Sequence, residues 1–380
     1  MRAVLRSVAG WMVVFVITAL LLEVMLRALV LLPGSTGSLV SDPDVGIAGV
    51  PMVTDGEITT NSAGFNDREP LPGGVPPRGV FIGDSFTFGF TRFDDTFPHR
   101  VEVAMGGRES FPVANLGVIG TGPQEYLAMI RKRALPMRPE WIIVTLFVGN
   151  DFLQANLNYR TIIYMGKIRL MPDPRWLGTA WDEYYLPKAV RSLTRALLPV
   201  TDDRIAACAT RPETAARLSP ALFDVYSNEL VNYEEPYGSL AERGFDGLTR
   251  LILEMADAAK TAGVQPLFVI APSEIQLDSD LRQTLMRCLG REHVTYDFHK
   301  PQRLLSAFLE SRQLAYLDLW PALSRYPTTR TYLLHETHWN HLGNDIAAGA
   351  IAAKLTELHV SQQTTMPSGG MVQKLRTRSE

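Results

Sequence analysis

Val80-Phe81-Ile82-Gly83-Asp84-Ser85-Phe86-Thr87-Phe88-Gly89 runs three apolar residues straight into Gly-Asp-Ser and closes on a second glycine. The pattern predicts a buried strand that ends at Gly83, a sharp turn, and Ser85 at the mouth of a helix. There, free backbone N–H groups and the positive end of the helix dipole favour developing negative charge. A serine so placed can act as a nucleophile. It can equally be a plain N-cap, because Ser and Asp favour that position in any helix. The stretch is not a Gly-x-Ser-x-Gly nucleophile elbow, since Thr87 stands where the second glycine belongs.

Outward from this turn, strands and helices alternate. A short strand over Pro112–Gly117 leads into the glycine-rich turn around Gly120, and a helix follows from Gln124 to about Ala134. Trp141 to Val148 is a continuous apolar run between Pro139 and Gly149, the signature of a strand buried on both faces. It ends in Gly149-Asn150-Asp151. From Phe152 to about Leu240 the pattern loosens, and it reads as an insertion over the sheet's C-terminal edge or as a helical subdomain with its own core. An amphipathic helix over Phe245–Ala262, a strand over Pro266–Pro272, a helix over Pro301–Gln313 and a strand over Leu314–Leu319 restore the alternation. Leu333 to Asn344 then opens a last helix reaching about Leu358. The fold class is therefore α/β, with βαβ units forming a mostly parallel sheet between helical layers. Parallel strands end on one edge, so Ser85, Gly120, Asn150 and the His338 cluster are expected to converge there.

The termini and composition narrow the setting. Of 380 residues, 46% are hydrophobic, enough for a large core, and a net charge of −3 gives no electrostatic case for nucleic acid. Val8 to Leu32 is long enough to span a bilayer, with Arg2 and Arg6 holding residues 1–7 in the cytoplasm by the positive-inside rule. Glu23 and Arg27 interrupt the segment at i,i+4. A single-pass signal anchor over 8–32 is preferred to a cleaved signal peptide, since no small-x-small site follows Leu22; a buried soluble helix is the third option. The expected organisation is a linker and lead-in over 33–76, the α/β domain over 77–358 with its insertion at about 152–240, and a disordered tail over 359–380. Cys208 and Cys288 could pair in an oxidising compartment or remain as two buried thiols.

The set Gly83-Asp84-Ser85, Asn115-x-Gly117-x-x-Gly120, Gly149-Asn150-Asp151 and acid-x-His338-Trp339-Asn340-x-x-Gly343 resembles the four blocks of the SGNH (GDSL-type) hydrolase superfamily. The order and separations match over about residues 78–358, and the resemblance implies a three-layer α/β/α sandwich around a mostly parallel five-stranded, flavodoxin-like sheet. The lead-in Asn61-Ser62-Ala63-Gly64-Phe65 and the anchor resemble membrane-tethered bacterial members linked to cell-surface polysaccharides. The resemblance implies Ser85 as nucleophile, His338 as general base, and an oxyanion hole made by the N–H groups of Ser85 and Gly120 and the Asn150 amide. The family's common acid position, three before the histidine, is His335 here. The acid two before, as in alginate-type acetyltransferases, is Glu336, which becomes the third member. His335, His338 and His341 stand three apart, but without supporting Cys or His spacing a metal site is not expected, and no cofactor is implied. Trp339 reads as core packing, Asp84 as a brace for the Ser85 turn, and Asp151 as an anchor for the Asn150 loop.

The reading is an extracytoplasmic esterase, tethered to the inner membrane with its domain in the periplasm, that cleaves O-acyl (O-acetyl) esters of carbohydrate or another small ester. A polysaccharide O-acetyltransferase with the same triad is the alternative, and a non-catalytic glycan-binding or scaffold protein retaining the fold is the other.

Overall fold

The computed structural model describes residues 2–30, 32, 34–70, 75–156, 158–164, 166–173, 184–197 and 200–365. Residues 71–74 of the lead-in and 366–380 of the tail lie outside the described residues. Five strands, β1 (Gly79–Ile82), β2 (Val113–Asn115), β3 (Trp141–Phe147), β4 (Gln265–Ala271) and β5 (Ala315–Asp318), pair in parallel in the order β2-β1-β3-β4-β5. The helices that matter below are α1 (Arg2–Val30), α2 (Ser85–Phe88), α3 (Phe97–Ala104), α4 (Pro123–Met129), α5 (Tyr185–Leu197), α6 (Pro220–Glu229), α7 (Ser239–Thr261), α8 (Lys300–Ser311) and α9 (His341–Thr365).

Every residue of β1 and β3 is buried because both faces of the sheet are covered. Val80, Ile82, Ile142, Val144, Leu146, Phe268 and Ile270 meet α4, α7 and α8 on one face. Phe81, Ile143, Leu267 and Val269 meet α3 and α9 on the other. Truncating one such core aromatic, Phe268 for example, costs about 3–5 kcal/mol. The strand order reverses direction around β1 and β3, so the crevice beyond their C-terminal ends is the switch point at which open α/β sheets bind ligands. Ser85 follows β1 and Asn150 follows β3, which puts both at that crevice.

Several boundaries differ from the sequence reading. α7 begins at Ser239, ahead of Phe245, and keeps Gly244 and Gly247 inside the helix. A β-carbon on Gly244 would lie 2.2 Å from the Phe152 carbonyl oxygen, so the glycine serves close packing rather than helix ending. α9 runs on through Thr365, past the Leu358 end and into the segment assigned to the tail. Thr96 directly precedes α3, but its hydroxyl donates to the Phe93 carbonyl at 2.7 Å and caps no N–H of the helix. The loosened stretch contains an antiparallel hairpin, Tyr159–Tyr164 with Lys167–Pro172, which its sequence did not announce.

Part of that stretch builds a third apolar cluster, in which Ile205, Leu222, Phe223, Tyr226 and Tyr233 pack with Ile275, Leu281 and Leu285. Cys208 and Cys288 are disulfide-bonded across it. The same unit grips the sheet edge: Asn232 Nδ2 donates to the carbonyls of Val148 (3.1 Å) and Gly149 (2.9 Å) and so holds the loop that carries Asn150. Among the described residues, Val8–Leu29 of α1 is the helical stretch long and apolar enough, by length and composition, to cross a bilayer.

Glu229 ends α6 fully buried, and its carboxyl group accepts the Ser273 hydroxyl. Burial pushes its pKa up from the ordinary 4.5 to about 8. The folded chain then holds a proton that the unfolded chain has released, so stability falls as pH rises from about 4.5 to about 8. Glu229→Gln, a neutral isostere, is expected to melt with the wild type at acid pH. At pH above about 8 it should be more stable by something on the order of 1–4 kcal/mol, and calorimetry across this range checks it.

Candidate active site

Ser85 opens α2, a helix of 4 residues whose turn is fixed from two sides. The buried Asp84 caps it, with Oδ1 accepting the Phe86 N–H at 2.9 Å. The loop after β2 binds the strand end, since the Val118 N–H donates to the Gly83 carbonyl at 3.1 Å. Gly117 makes this approach possible: a β-carbon there would sit 2.2 Å from the Phe88 nitrogen.

His338 lies 253 positions away in sequence, with Nε2 2.8 Å from Ser85 Oγ. Its Nδ1 is 2.7 Å from Glu336 Oε2. A carboxylate only accepts, so Nδ1 carries the proton, and Nε2 is left to accept from the serine hydroxyl. The hydrogen bond from His338 holds the Glu336 carboxyl below its usual range, against burial acting the other way. The loop bearing both residues is closed by its own backbone, as the Leu333 N–H donates to the His338 carbonyl at 2.9 Å and the Asn340 N–H to the Thr331 carbonyl at 3.0 Å. Asn340 Nδ2 ties it further to the Arg330 carbonyl at 2.9 Å, and Asn340 Oδ1 accepts the Gly343 N–H at 3.1 Å. With Glu336 fixed two residues before the imidazole in this tight loop, its longer arm needs no further support to reach Nδ1.

The structure thus brings Ser85, His338 and Glu336 into one hydrogen-bonded chain. Asn150 joins through Asp84, its Nδ2 lying 3.4 Å from Asp84 Oδ2. Gly120 reaches the site through the loop bonded to Gly83 and makes no direct bond to Ser85 in this structure. Its φ of 77° suits glycine, and a β-carbon there would meet the Ile168 side chain of the 159–172 hairpin at 2.7 Å. Gln154 Nε2 steadies the same peptide by donating to the Gly120 carbonyl at 3.2 Å.

One feature near the triad escaped sequence reading. The Phe90 ring stacks on His338 at 4.1 Å between centroids, and Phe86 flanks it at 5.1 Å, which together limit the tilt of the imidazole. Beneath Ser85, Asp84 and Asp151 are both fully buried. Burial raises Asp84 to about 6. Burial and the neighbouring Asp84 charge push Asp151 well up. Asp151 accepts the Phe147 N–H at 2.9 Å and the Tyr126 hydroxyl at 3.0 Å, which anchors the start of the Asn150 loop. No local pattern encodes the ring stacking, because Phe90 and His338 come from separate elements, whereas the anchoring by Asp84 and Asp151 follows the sequence reading.

The three C-terminal histidines do not converge. His341 Nδ1 lies 3.2 Å from Asp95 Oδ2, and His335 is exposed with a left-handed φ of 60°. Among the described residues no group of three or more His, Cys, Asp or Glu is arranged to hold a metal. Trp339 is buried against Phe86 and Phe97 and is a core residue.

The chain is similar in fold to three solved structures among others. A GDSL-like lipase from Bacteroides thetaiotaomicron is 11% identical over 76% of this chain and 91% of its own, with a TM-score of 0.38. A catalytic mutant of an acetylxylan esterase from Geobacillus stearothermophilus is 14% identical over 73% and 93%, with a TM-score of 0.37. A lipase/acylhydrolase from Enterococcus faecalis is 14% identical over 74% and 96%, also at 0.37. No protein-family model matches the chain, and no curated protein does. At these identities and TM-scores the likeness does not carry the chemistry, which is read from this chain's own residues.

Replacing Glu336 by Gln keeps the shape but takes away the charge that orients and stabilises the imidazolium, so kcat for an activated ester is expected to drop about 10³–10⁴-fold. Asn150→Ala removes an amide donor and is expected to lower kcat about 10²–10³-fold with KM little changed. Steady-state kinetics on both variants, with circular dichroism confirming their folds, checks the pair.

Proposed function

We propose that the protein is a serine esterase of the SGNH type that cleaves O-acyl esters through an acyl-enzyme on Ser85. The observation that supports this reading is the unbroken chain from Glu336 Oε2 through the His338 ring to Ser85 Oγ, with steps of 2.7 and 2.8 Å. Ser85 Oγ attacks the ester carbonyl carbon while His338 Nε2 takes its proton. Glu336 stabilises the imidazolium that results, without itself taking the proton. The tetrahedral oxyanion is received by the N–H groups of Ser85 and Gly120 and by the Asn150 amide, where α2 also turns its N-terminus to the new charge. The C–O bond to the leaving alcohol breaks as His338 returns the proton to that oxygen. Water then attacks the acyl-enzyme with His338 again as base, releasing the carboxylic acid and free Ser85.

The substrate we assign is an O-acetylated carbohydrate outside the cytoplasm, with α1 as an uncleaved anchor in the inner membrane. The likeness of Glu336-Thr337-His338-Trp339-Asn340 to the acid-x-His-Trp-Asn variant favours glycan acetyl chemistry, and the apolar Val8–Leu29 stretch behind two arginines favours the tether. A sugar hydroxyl in place of water in the second half-reaction would make the same site an acetyltransferase.

Turnover of p-nitrophenyl acetate by the full chain is expected to disappear in Ser85→Ala and to release acetate whether or not a polysaccharide acceptor is present. Turnover only with acceptor, with acetyl groups appearing on the glycan, would assign a transferase. Equal rates for wild type and Ser85→Ala would remove the enzyme reading altogether.

A further inference from the structure

α5 carries an apolar row that, among the described residues, nothing covers. Val190, Leu193 and Leu197 are 56%, 61% and 70% exposed, and with the half-buried Leu186 they fall on one face at i, i+4, i+7 and i+11. Large exposed apolar residues elsewhere in the described domain are scattered singly, which is ordinary. A row of them on one helix is not.

The place where α5 begins says what covers the row. Glu23 of α1 reaches across and caps α5, its carboxylate oxygens accepting the Tyr185 N–H at 3.0 Å and the Leu186 N–H at 2.8 Å. Arg27 Nε donates to the same carboxylate at 2.8 Å, and its guanidinium lies 5.3 Å from the centre of the Tyr185 ring and 5.8 Å from that of Tyr184. Both charged residues are buried in this joint. Val8 to Leu22 supplies only about 22 Å of uncharged helix, against a hydrocarbon core of about 30 Å. The outer membrane–water boundary therefore falls at or just beyond the Glu23–Arg27 step, where α5 is pinned, and paired tyrosines suit that depth.

We infer that α5 is an interfacial helix lying on the outer surface of the bilayer that α1 spans, with Val190, Leu193 and Leu197 in the lipid. The inference rests on the reading of α1 as a membrane anchor. It also connects the lipid surface to the candidate active site. The Lys188 ammonium sits 4.8 Å from the centre of the Tyr159 ring, and the Tyr185 hydroxyl donates to the Pro172 carbonyl, so α5 holds both ends of the hairpin whose Ile168 covers Gly120. A domain joined only by a flexible linker would swing, whereas this joint fixes its height and tilt.

The test places an environment-sensitive fluorophore at Leu193→Cys in the full chain, reconstituted in phosphatidylcholine–phosphatidylglycerol vesicles containing phospholipids brominated high on the acyl chain. Leu20→Cys in α1 and the exposed Glu357→Cys in α9 serve as controls, and retained ester turnover certifies that each labelled chain is folded. Leu193→Cys and Leu20→Cys are expected to lose most of their emission and Glu357→Cys to lose none. Quenching at Leu20→Cys without quenching at Leu193→Cys overturns the interfacial helix and leaves the anchor standing. Absence of quenching at both sites overturns the anchor and the inference with it. Formation of a disulfide-linked dimer by unlabelled Leu193→Cys under oxidising conditions, with no lipid quenching of the labelled chain, would assign the face to a second copy and also overturn it.

Discussion

A carboxylate that can only accept hydrogen bonds stands 2.7 Å from one nitrogen of an imidazole whose other nitrogen stands 2.8 Å from a serine hydroxyl. That constraint fixes the tautomer of His338 and with it the direction in which Ser85 can lose its proton. Much of the fold can be understood as what holds these three groups in line. β1 and β3 end side by side at the switch point of the sheet. α2 starts abruptly because Asp84 caps it, and the Thr331–Gly343 loop is tied to itself so that Glu336 and His338 face inward. Phe90 and Phe86 then leave the imidazole little room to turn.

The sheet was legible in the sequence because a parallel strand covered on both faces must be apolar throughout, and Trp141–Phe147 and Gln265–Ala271 are nearly so. Ser85 and Asn150 were legible because each follows an apolar strand with a short polar motif, and His338 because its acid-x-His-Trp-Asn block resembles that of the SGNH set. Glu336 stood out as the carboxylate two residues before His338, and the structure places it against Nδ1. The stacking of Phe90 on His338 and the link from Asn150 to Asp84 were not legible. They join residues from different elements, and no period or spacing along the chain records such a contact. The 159–172 hairpin escaped because burial alternates along Tyr159–Tyr164 while the residue types, Tyr-Arg-Thr-Ile-Ile-Tyr, do not alternate between polar and apolar.

The region between β3 and β4 gives the site its surroundings. Asn232 grips the carbonyls beneath Asn150 from one side, and the hairpin closes over Gly120 from the other. Glu23 and Arg27, which looked like blemishes in an apolar segment, acquire a purpose as the cap and brace of a second helix. A charge in such a segment is costly unless it is paired and hydrogen-bonded, and here it is both.

The central claim is that the Glu336–His338 pair activates Ser85. The most direct measurement is the rate at which a fluorophosphonate phosphonylates the folded full chain, with the modified residue located by mass spectrometry. A single adduct on Ser85 is expected, formed rapidly in the wild type and orders of magnitude more slowly in folded His338→Ala. A wild type that never acquires the adduct, or an adduct on Ser85 that forms equally fast without His338, would contradict it.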